Sequence, residues 1–144
     1  MQRSMAIIWA LATSLCGCAT PYGSSGLTGG YFEKAVNDRL TYVVFSGNGF
    51  ISSTKVQAYA LYRCAELAHA ARKPYFVLYD SLIAAARDRP APTATVGSLG
   101  GKPSAHAFIT LLDEHREAAH ETDKVLAELK PMIEGESSTG ARKP

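Results

Sequence analysis

The sequence predicts an α+β fold: a β-hairpin followed by a helix–strand unit, forming a small sheet covered by two helices. Three observations carry this reading. Two β-rich runs, Tyr31-Phe32-Glu33-Lys34-Ala35-Val36 and Thr41-Tyr42-Val43-Val44-Phe45-Ser46, flank Asn37-Asp38-Arg39-Leu40; aromatic and β-branched residues bounded by Asn-Asp read as a hairpin. From about 54 to 72, Val56, Ala60, Arg63, Cys64, Leu67 and Ala71 recur at three- and four-residue steps, the period of one helical face. Pro74 forbids continuation, and Tyr75-Phe76-Val77-Leu78-Tyr79 follows as a short apolar run that suits a strand inside a sheet.

Local signals connect these elements. Gly47-Asn48-Gly49 turns the chain, Ser52, Ser53 and Thr54 offer helix caps, and Thr54 with Gln57 has the capping-box form. Residues 81–87 predict a short helix before Pro90 and Pro92, and residues 88–104, rich in Pro, Gly, Ser and Thr, a long surface loop. Residues 105–133 carry two patterns. Ala105, Phe108, Leu112, His115, Ala119, Thr122, Leu126, Leu129 and Ile133 step as one long helix, ~39 Å from 105 to 130, which would present a partner helix. The run Ala107-Phe108-Ile109-Thr110-Leu111-Leu112 is equally a strand, and the expectation adopted is a strand at 107–112 and a helix from about 119 to 130, stopped by Pro131.

The N-terminus speaks of location. Arg3 supplies a positive start, and residues 5–15 form a mostly apolar stretch too short for the ~20 residues that span a bilayer, so it fits a cleaved signal. Leu15-Cys16-Gly17-Cys18 closes it and resembles the lipobox of bacterial lipoproteins. The resemblance implies that Cys18 is the first residue of the mature chain and carries the lipid: a diacylglycerol on sulfur and, commonly, an acyl group such as palmitate on the amine. In that class an aspartate after the cysteine signals inner-membrane retention; here Ala19 follows, which implies the outer membrane, facing the periplasm. The expected organisation is a signal peptide at 1–17, a flexible Gly/Ser-rich tether at 18–30 reaching ~20 Å, one domain at 31–133, and a disordered tail at 134–144.

Further motifs carry a second resemblance. Thr28-Gly29-Gly30-Tyr31, Phe45-x-Gly47-Asn48-Gly49, Tyr59-x-Leu61-x-Arg63-Cys64-Ala65-Glu66-Leu67, and Tyr75-Phe76 with Asp80 together are similar to an uncharacterised family of small proteobacterial lipoproteins. The similarity runs from the lipobox to about residue 80. It implies location and fold, and no activity.

Composition bounds the chemistry. Without residues 1–17, 144 − 17 = 127 residues remain, enough for one domain, with 15 − 1 = 14 basic against 13 acidic side chains. That near-neutral balance, with no run of five like charges, argues against nucleic acid as a partner. Cys16 leaves with the signal and Cys18 is acylated, so Cys64 remains as a lone thiol and no internal disulfide is expected.

The candidate reactive groups divide as follows. Gly47-x-Gly49-x-x-Ser52 followed by a helix lacks the third glycine of a dinucleotide fingerprint, and Asp80 stands 80 − 49 = 31 residues after Gly49 where ~20 is expected; no cofactor follows. Cys64, flanked by Ala60, Leu67 and Ala68, reads as a small buried hydrophobe. His69, His106, His115 and His120 form no H-x-x-x-H pair, and no C-x-x-C exists, so no metal site is expected. No serine sits in G-x-S-x-G. Arg63, on an apolar face, must snorkel or meet a carboxylate, and Glu66, Glu33 and Asp80 are its available partners; the expectation is a structural ion pair of Arg63 with Glu66 and Asp80, against an anion-binding arginine. The functional expectation is a lipid-anchored envelope lipoprotein in a non-enzymatic structural or interaction role, bound to the membrane through its lipid and to an envelope protein partner. The alternative is a membrane-tethered periplasmic enzyme or small-ligand-binding module.

Overall fold

Strands β1 (Gly30–Ala35) and β2 (Thr41–Ser46) form the expected hairpin, antiparallel with Tyr31 opposite Phe45 and Glu33 opposite Val43. Its corner is built by Asn37, whose Oδ1 accepts from the backbone N–H groups of Arg39 and Leu40, both at 2.9 Å. These facts come from a computed structural model that describes residues 19–137. The expected signal at 1–17, Cys18, and the tail beyond 137 lie outside the described residues.

Helix α1 (Ser53–Ala70) is capped by Ser52, whose Oγ accepts from Lys55 N–H at 3.2 Å; Thr54 lies inside the helix rather than at the cap of the expected box, and the Gln57 side chain donates instead to Ala94 C=O at 2.7 Å. The helix ends in a Schellman closure: Arg72 N–H donates to His69 C=O and Lys73 N–H to Ala68 C=O, with Arg72 at φ 56°. Pro74 follows, and β3 (Tyr75–Tyr79) runs as predicted. Helix α2 (Leu82–Ala86), capped by Ser81, is the short helix expected at 81–87.

The region beyond differs from expectation. Residues 88–104 are not a surface loop throughout: β4 (Thr95–Leu99) and β5 (Lys102–Leu112) make a second hairpin. Gly100 (φ 59°) and Gly101 (φ 76°) form its two-residue turn, and positive φ at both positions is what a type I′ turn demands. The strand expected at 107–112 is therefore the second half of an eleven-residue strand. β6 (His120–Glu121) pairs with β3, and α3 (Thr122–Ser137) follows, so a single helix from 105 is excluded.

Pro131 lies inside α3 rather than ending it, and the helix passes the domain limit expected at 133. The cause is packing. Val125, Leu126, Leu129 and Ile133 form one apolar stripe against the core, which outweighs the hydrogen bond that a proline cannot donate. Pro131→Ala is expected to raise stability by ~1 kcal/mol by restoring that bond, measured by urea denaturation; a loss of stability would show that the stripe depends on the proline.

The sheet order is β1-β2-β5-β3-β6, with β4 beside β5. β2 and β3 are both antiparallel to β5 and flank it, so the β2–α1–β3 connection passes over the strand that arrives later in the chain. One sheet face carries Val43, Phe45, Phe76, Leu78, Ala105, Ala107 and Ile109 and is covered by α1, against which α3 packs. Phe45, Phe76 and Ile109 are fully buried, each contributing ~1.5–3 kcal/mol by removal from water. On the opposite face, Leu40, Ala119 and the Ala84 and Ala85 side chains of α2 pack with Val77 and Tyr79; Phe32 stays 51% exposed there. No helix among the described residues is long and apolar enough to cross a membrane.

Residues 19–30 do not behave as the flexible tether that their Gly/Ser content predicts. Ala19 packs on the core, Thr20 is fully buried, and the Tyr22 ring lies among Tyr31, Phe45, Tyr59 and Tyr62, with centroids 5.3–6.2 Å away. Gly29 allows the close approach. At φ 107° it sits where side chains rarely go, and a Cβ there would strike the Ser46 carbonyl.

Candidate functional site

Two polar clusters stand out, one on each side of the sheet. The first surrounds Arg63. Its place on α1 faces β1, where Glu33 points to the helix side of the sheet. Nη2 donates to Glu33 Oε1 at 2.7 Å and Nη1 to Glu66 Oε2 at 2.9 Å, while the guanidinium carbon lies 4.1 Å from the centre of the Tyr31 ring. Tyr22 Oη donates to Glu66 Oε2. Burial opposes the charge on Arg63, but the hydrogen bonds to Glu33 and Glu66 outweigh it and raise its pKa above the ordinary arginine value. Burial, then the bond to Glu66, pushes the Tyr22 hydroxyl pKa up. With two carboxylates and a ring on one guanidinium, the cluster closes on itself and welds the N-terminal segment to α1.

Asp80 is not part of it. β3 and β1 are separated by β2 and β5 in the sheet, so the residue that follows β3 cannot reach the β1 edge. Asp80 instead accepts from Ser81 Oγ at 2.9 Å, exposed at the start of α2. Glu33 takes the place expected for it.

The second cluster is Tyr79, Asp88 and Arg116, at the mouth of a cavity of about 500 Å³ between α2 and the 36–40 corner. α2 ends in a Schellman closure like that of α1. Asp88 occupies the left-handed position (φ 48°), its N–H donating to Ala85 C=O, and Arg89 N–H donates to Ala84 C=O. This presents the Asp88 carboxylate to the Arg116 guanidinium, which reaches it with both terminal nitrogens at 2.9 and 2.7 Å. Tyr79 Oη donates to Asp88 Oδ1 at 2.8 Å and accepts from Arg116 Nη2 at 2.7 Å. The bonds from Arg116 and Tyr79 hold the Asp88 pKa below the usual carboxylate value. Arg116 Nε is buried without a partner among the described residues. Arg39 lines the same cavity, and its side chain has no hydrogen bond or ion pair among the described residues; Leu40, Leu82 and Leu112 supply apolar wall. A cationic head beside an apolar wall suits a small amphipathic anion.

Sequence reasoning missed this second cluster. The available signal was slight: an aspartate just past a short helix, a position where Asp tolerates left-handed backbone. Arg116 comes from the segment between β5 and β6, twenty-eight positions from Asp88.

The remaining candidates are separated. Cys64 is fully buried, and burial pushes its thiol pKa up, away from reactivity. His69 lies 3.4 Å from Asp123, His106 leans on Tyr42, His115 on Tyr75, and His120 stacks on Phe76. Among the described residues no three metal-ligating side chains gather. Burial lowers the His120 pKa against a backbone hydrogen bond at Pro92 that raises it, and Nε2 is buried without a partner. With the folded value below the unfolded ~6.5, the unfolded state takes up protons first on acidification. Stability is therefore expected to fall as pH drops below that value, and His120→Gln to flatten the fall, in urea midpoints between pH 7 and 5. An unchanged pH profile in the variant would remove His120 as its source.

No family model, no curated protein and no solved structure matches this chain.

Proposed function

We propose that this chain is a lipoprotein of the bacterial envelope, held through a lipid on Cys18 to the outer membrane and facing the periplasm, in a non-enzymatic structural or interaction role. The lipobox-like Leu15-Cys16-Gly17-Cys18 supports the anchor. The observation that carries the role is the packing of residues 19–30 into the core through Thr20 and Tyr22. A domain bonded to its anchor segment in this way is held at a fixed attitude, as a platform for an envelope protein partner. Two acyl signals anchor stably where one chain is marginal.

The test is intact mass of membrane-extracted protein, natural chain against Cys18→Ser, with fractionation. The expected result is a lipidated mass beginning at Cys18 that the variant loses, after which crosslinking in the envelope identifies the partner. A chain that still carries residues 1–17 and stays out of the membrane fraction refutes the proposal.

The cavity at Arg39 favours a second reading within the same location, a small-ligand-binding module. Calorimetric titration with a medium-chain alkyl phosphate distinguishes it: saturable binding that weakens about tenfold in Arg39→Ala, the loss of one charge-assisted contact, favours ligand binding, and no heat of binding excludes this ligand class.

A further inference from the structure

The end of the molecule that meets the anchor is built differently from the rest. Thr20 Oγ1 donates to Thr28 C=O at 2.7 Å and accepts from Asn48 N–H at 2.7 Å, so one buried hydroxyl ties two loops together. Each loop carries a large apolar side chain at its tip. In the first, Gly26 and Gly29 exchange hydrogen bonds of 2.9 and 3.2 Å and hold Leu27 outward, fully exposed. In the second, Asn48 Oδ1 accepts from Phe50 N–H at 2.9 Å and Phe50 is 68% exposed.

Charge at this end is one-sided. Residues 19–31, 46–55 and 95–104 make up the turns at the starts of β1, α1 and β5 and the end of β2, and they contain no acidic residue. Lys55 and Lys102 are the charges among them, and Lys102 is exposed. The opposite end, made of the 36–40 corner and the 71–74 and 113–121 segments, carries both signs: Asp38, Asp113, Glu114, Glu117 and Glu121 beside Arg39, Arg72, Lys73 and Arg116. Ala19 is packed on the core, and the proposed lipid site is the residue joined to it by one peptide unit, ~3.8 Å between Cα atoms, so the anchor attaches to the chain at this end.

We infer that Leu27 and Phe50 form a membrane seat: they insert into the headgroup–acyl boundary of the bilayer beside the Cys18 lipid, with Lys102 facing the lipid phosphates, and so orient the domain with its opposite end outward. The inference rests on the proposed anchor. Amphipathic anchors of this kind bury apolar side chains ~5–10 Å into that boundary and gain from anionic lipid. The seat explains why the segment after the cysteine is welded to the core. A rigid connection lets the lipid and the two side chains act on the same patch of bilayer.

The test uses the lipidated protein in vesicles of phosphatidylethanolamine and phosphatidylglycerol. Trp9 is the chain's single tryptophan and leaves with the proposed signal, so Phe50→Trp puts one indole at the seat. Val36→Trp places one at the far end of the sheet, where Val36 is 42% exposed. The expected result is a shift of the residue-50 emission to shorter wavelength and a several-fold loss of it with brominated acyl chains, while the residue-36 emission keeps its water-exposed wavelength and intensity. Intact mass on the same sample reads the anchor separately. Lipidated protein whose residue-50 indole emits as in water overturns the seat and leaves the anchor standing, directing Leu27 and Phe50 to a protein partner. Protein without lipid at Cys18 overturns both.

Discussion

Tyr22→Ala is expected to lower the free energy of unfolding by about 2–4 kcal/mol, the range for truncating a large aromatic at a partly open site. The side chain belongs to a stretch, Pro21-Tyr22-Gly23-Ser24-Ser25-Gly26, whose composition predicts a free linker in which such a change would cost nothing. In the structure its ring stacks on Phe45 (5° between planes) and meets Tyr59 and Tyr62 edge-on, and its hydroxyl donates to Glu66. Tyr22→Phe keeps the ring and removes the hydroxyl, and is expected to cost ~1–2 kcal/mol because the bond ends on a charged acceptor. Urea denaturation of the three proteins reads both effects. Equal midpoints for all three would mean that the segment does not hold the domain, and the fixed attitude proposed for the anchored protein would go with it.

Arg63→Ala is the second large effect, about 2–3 kcal/mol destabilising. Removal of one member of a buried ion pair costs ~3–5 kcal/mol; the lower figure allows for side chains that are 19% (Arg63), 32% (Glu33) and 31% (Glu66) exposed and so screened by water. The variant leaves Glu33 and Glu66 facing each other with no cation between them and strips Tyr31 of its stacked guanidinium. Arg63→Lys is expected to recover only part of the loss, because one ammonium cannot serve two carboxylates and a ring face at once. Arg63→Ala combined with Tyr22→Phe is expected to be non-additive, since both act through Glu66. An additive pair, measured by the same denaturation, would mean that the two bonds to Glu66 are independent and that the cluster does not couple α1 to the N-terminal segment.

Both effects bear on the question of an anion site. A guanidinium already holding two carboxylates has little left to offer an external anion, whereas Arg39, lining the cavity beside Tyr79 and Arg116, has its donors free of any described partner. The choice between these two arginines could not be made from the sequence. Arg63 announces itself because it interrupts an apolar helix face. Arg39 sits in a hairpin corner, where a charged residue is unremarkable, and the cavity beside it forms only when α2 folds across Val77 and Tyr79.

How much of the fold was legible follows the range over which each signal acts. The first hairpin, α1, β3 and α2 were readable because their determinants lie within each element: β-branched and aromatic runs, a 3.6-residue apolar period, Ser52 among the cap residues, and Pro74, Pro90 and Pro92 as stops. Gly100-Gly101 was a readable hairpin turn, hidden by the Pro- and Ser-rich residues around it. Pro131 was a misleading stop, because the apolar stripe through Ile133 gains more from packing than the helix loses at one missing donor.

The sequence by itself determined the α+β class and the order of elements from β1 to α2. The tertiary structure decided the position of β5 between β2 and β3, the choice of Glu33 over Asp80 for Arg63, the Tyr79–Asp88–Arg116 cluster, and the docking of residues 19–30. The physical reason is the same in each case. Local propensity and periodicity act over one element, while these contacts join residues such as Thr20 and Asn48, or Tyr22 and Glu66, that are 28 and 44 positions apart. A glycine- and serine-rich segment looks unstructured when judged by composition. It becomes ordered here because a threonine hydroxyl finds two backbone partners and a tyrosine ring finds four aromatic neighbours that only the folded sheet and helix bring together.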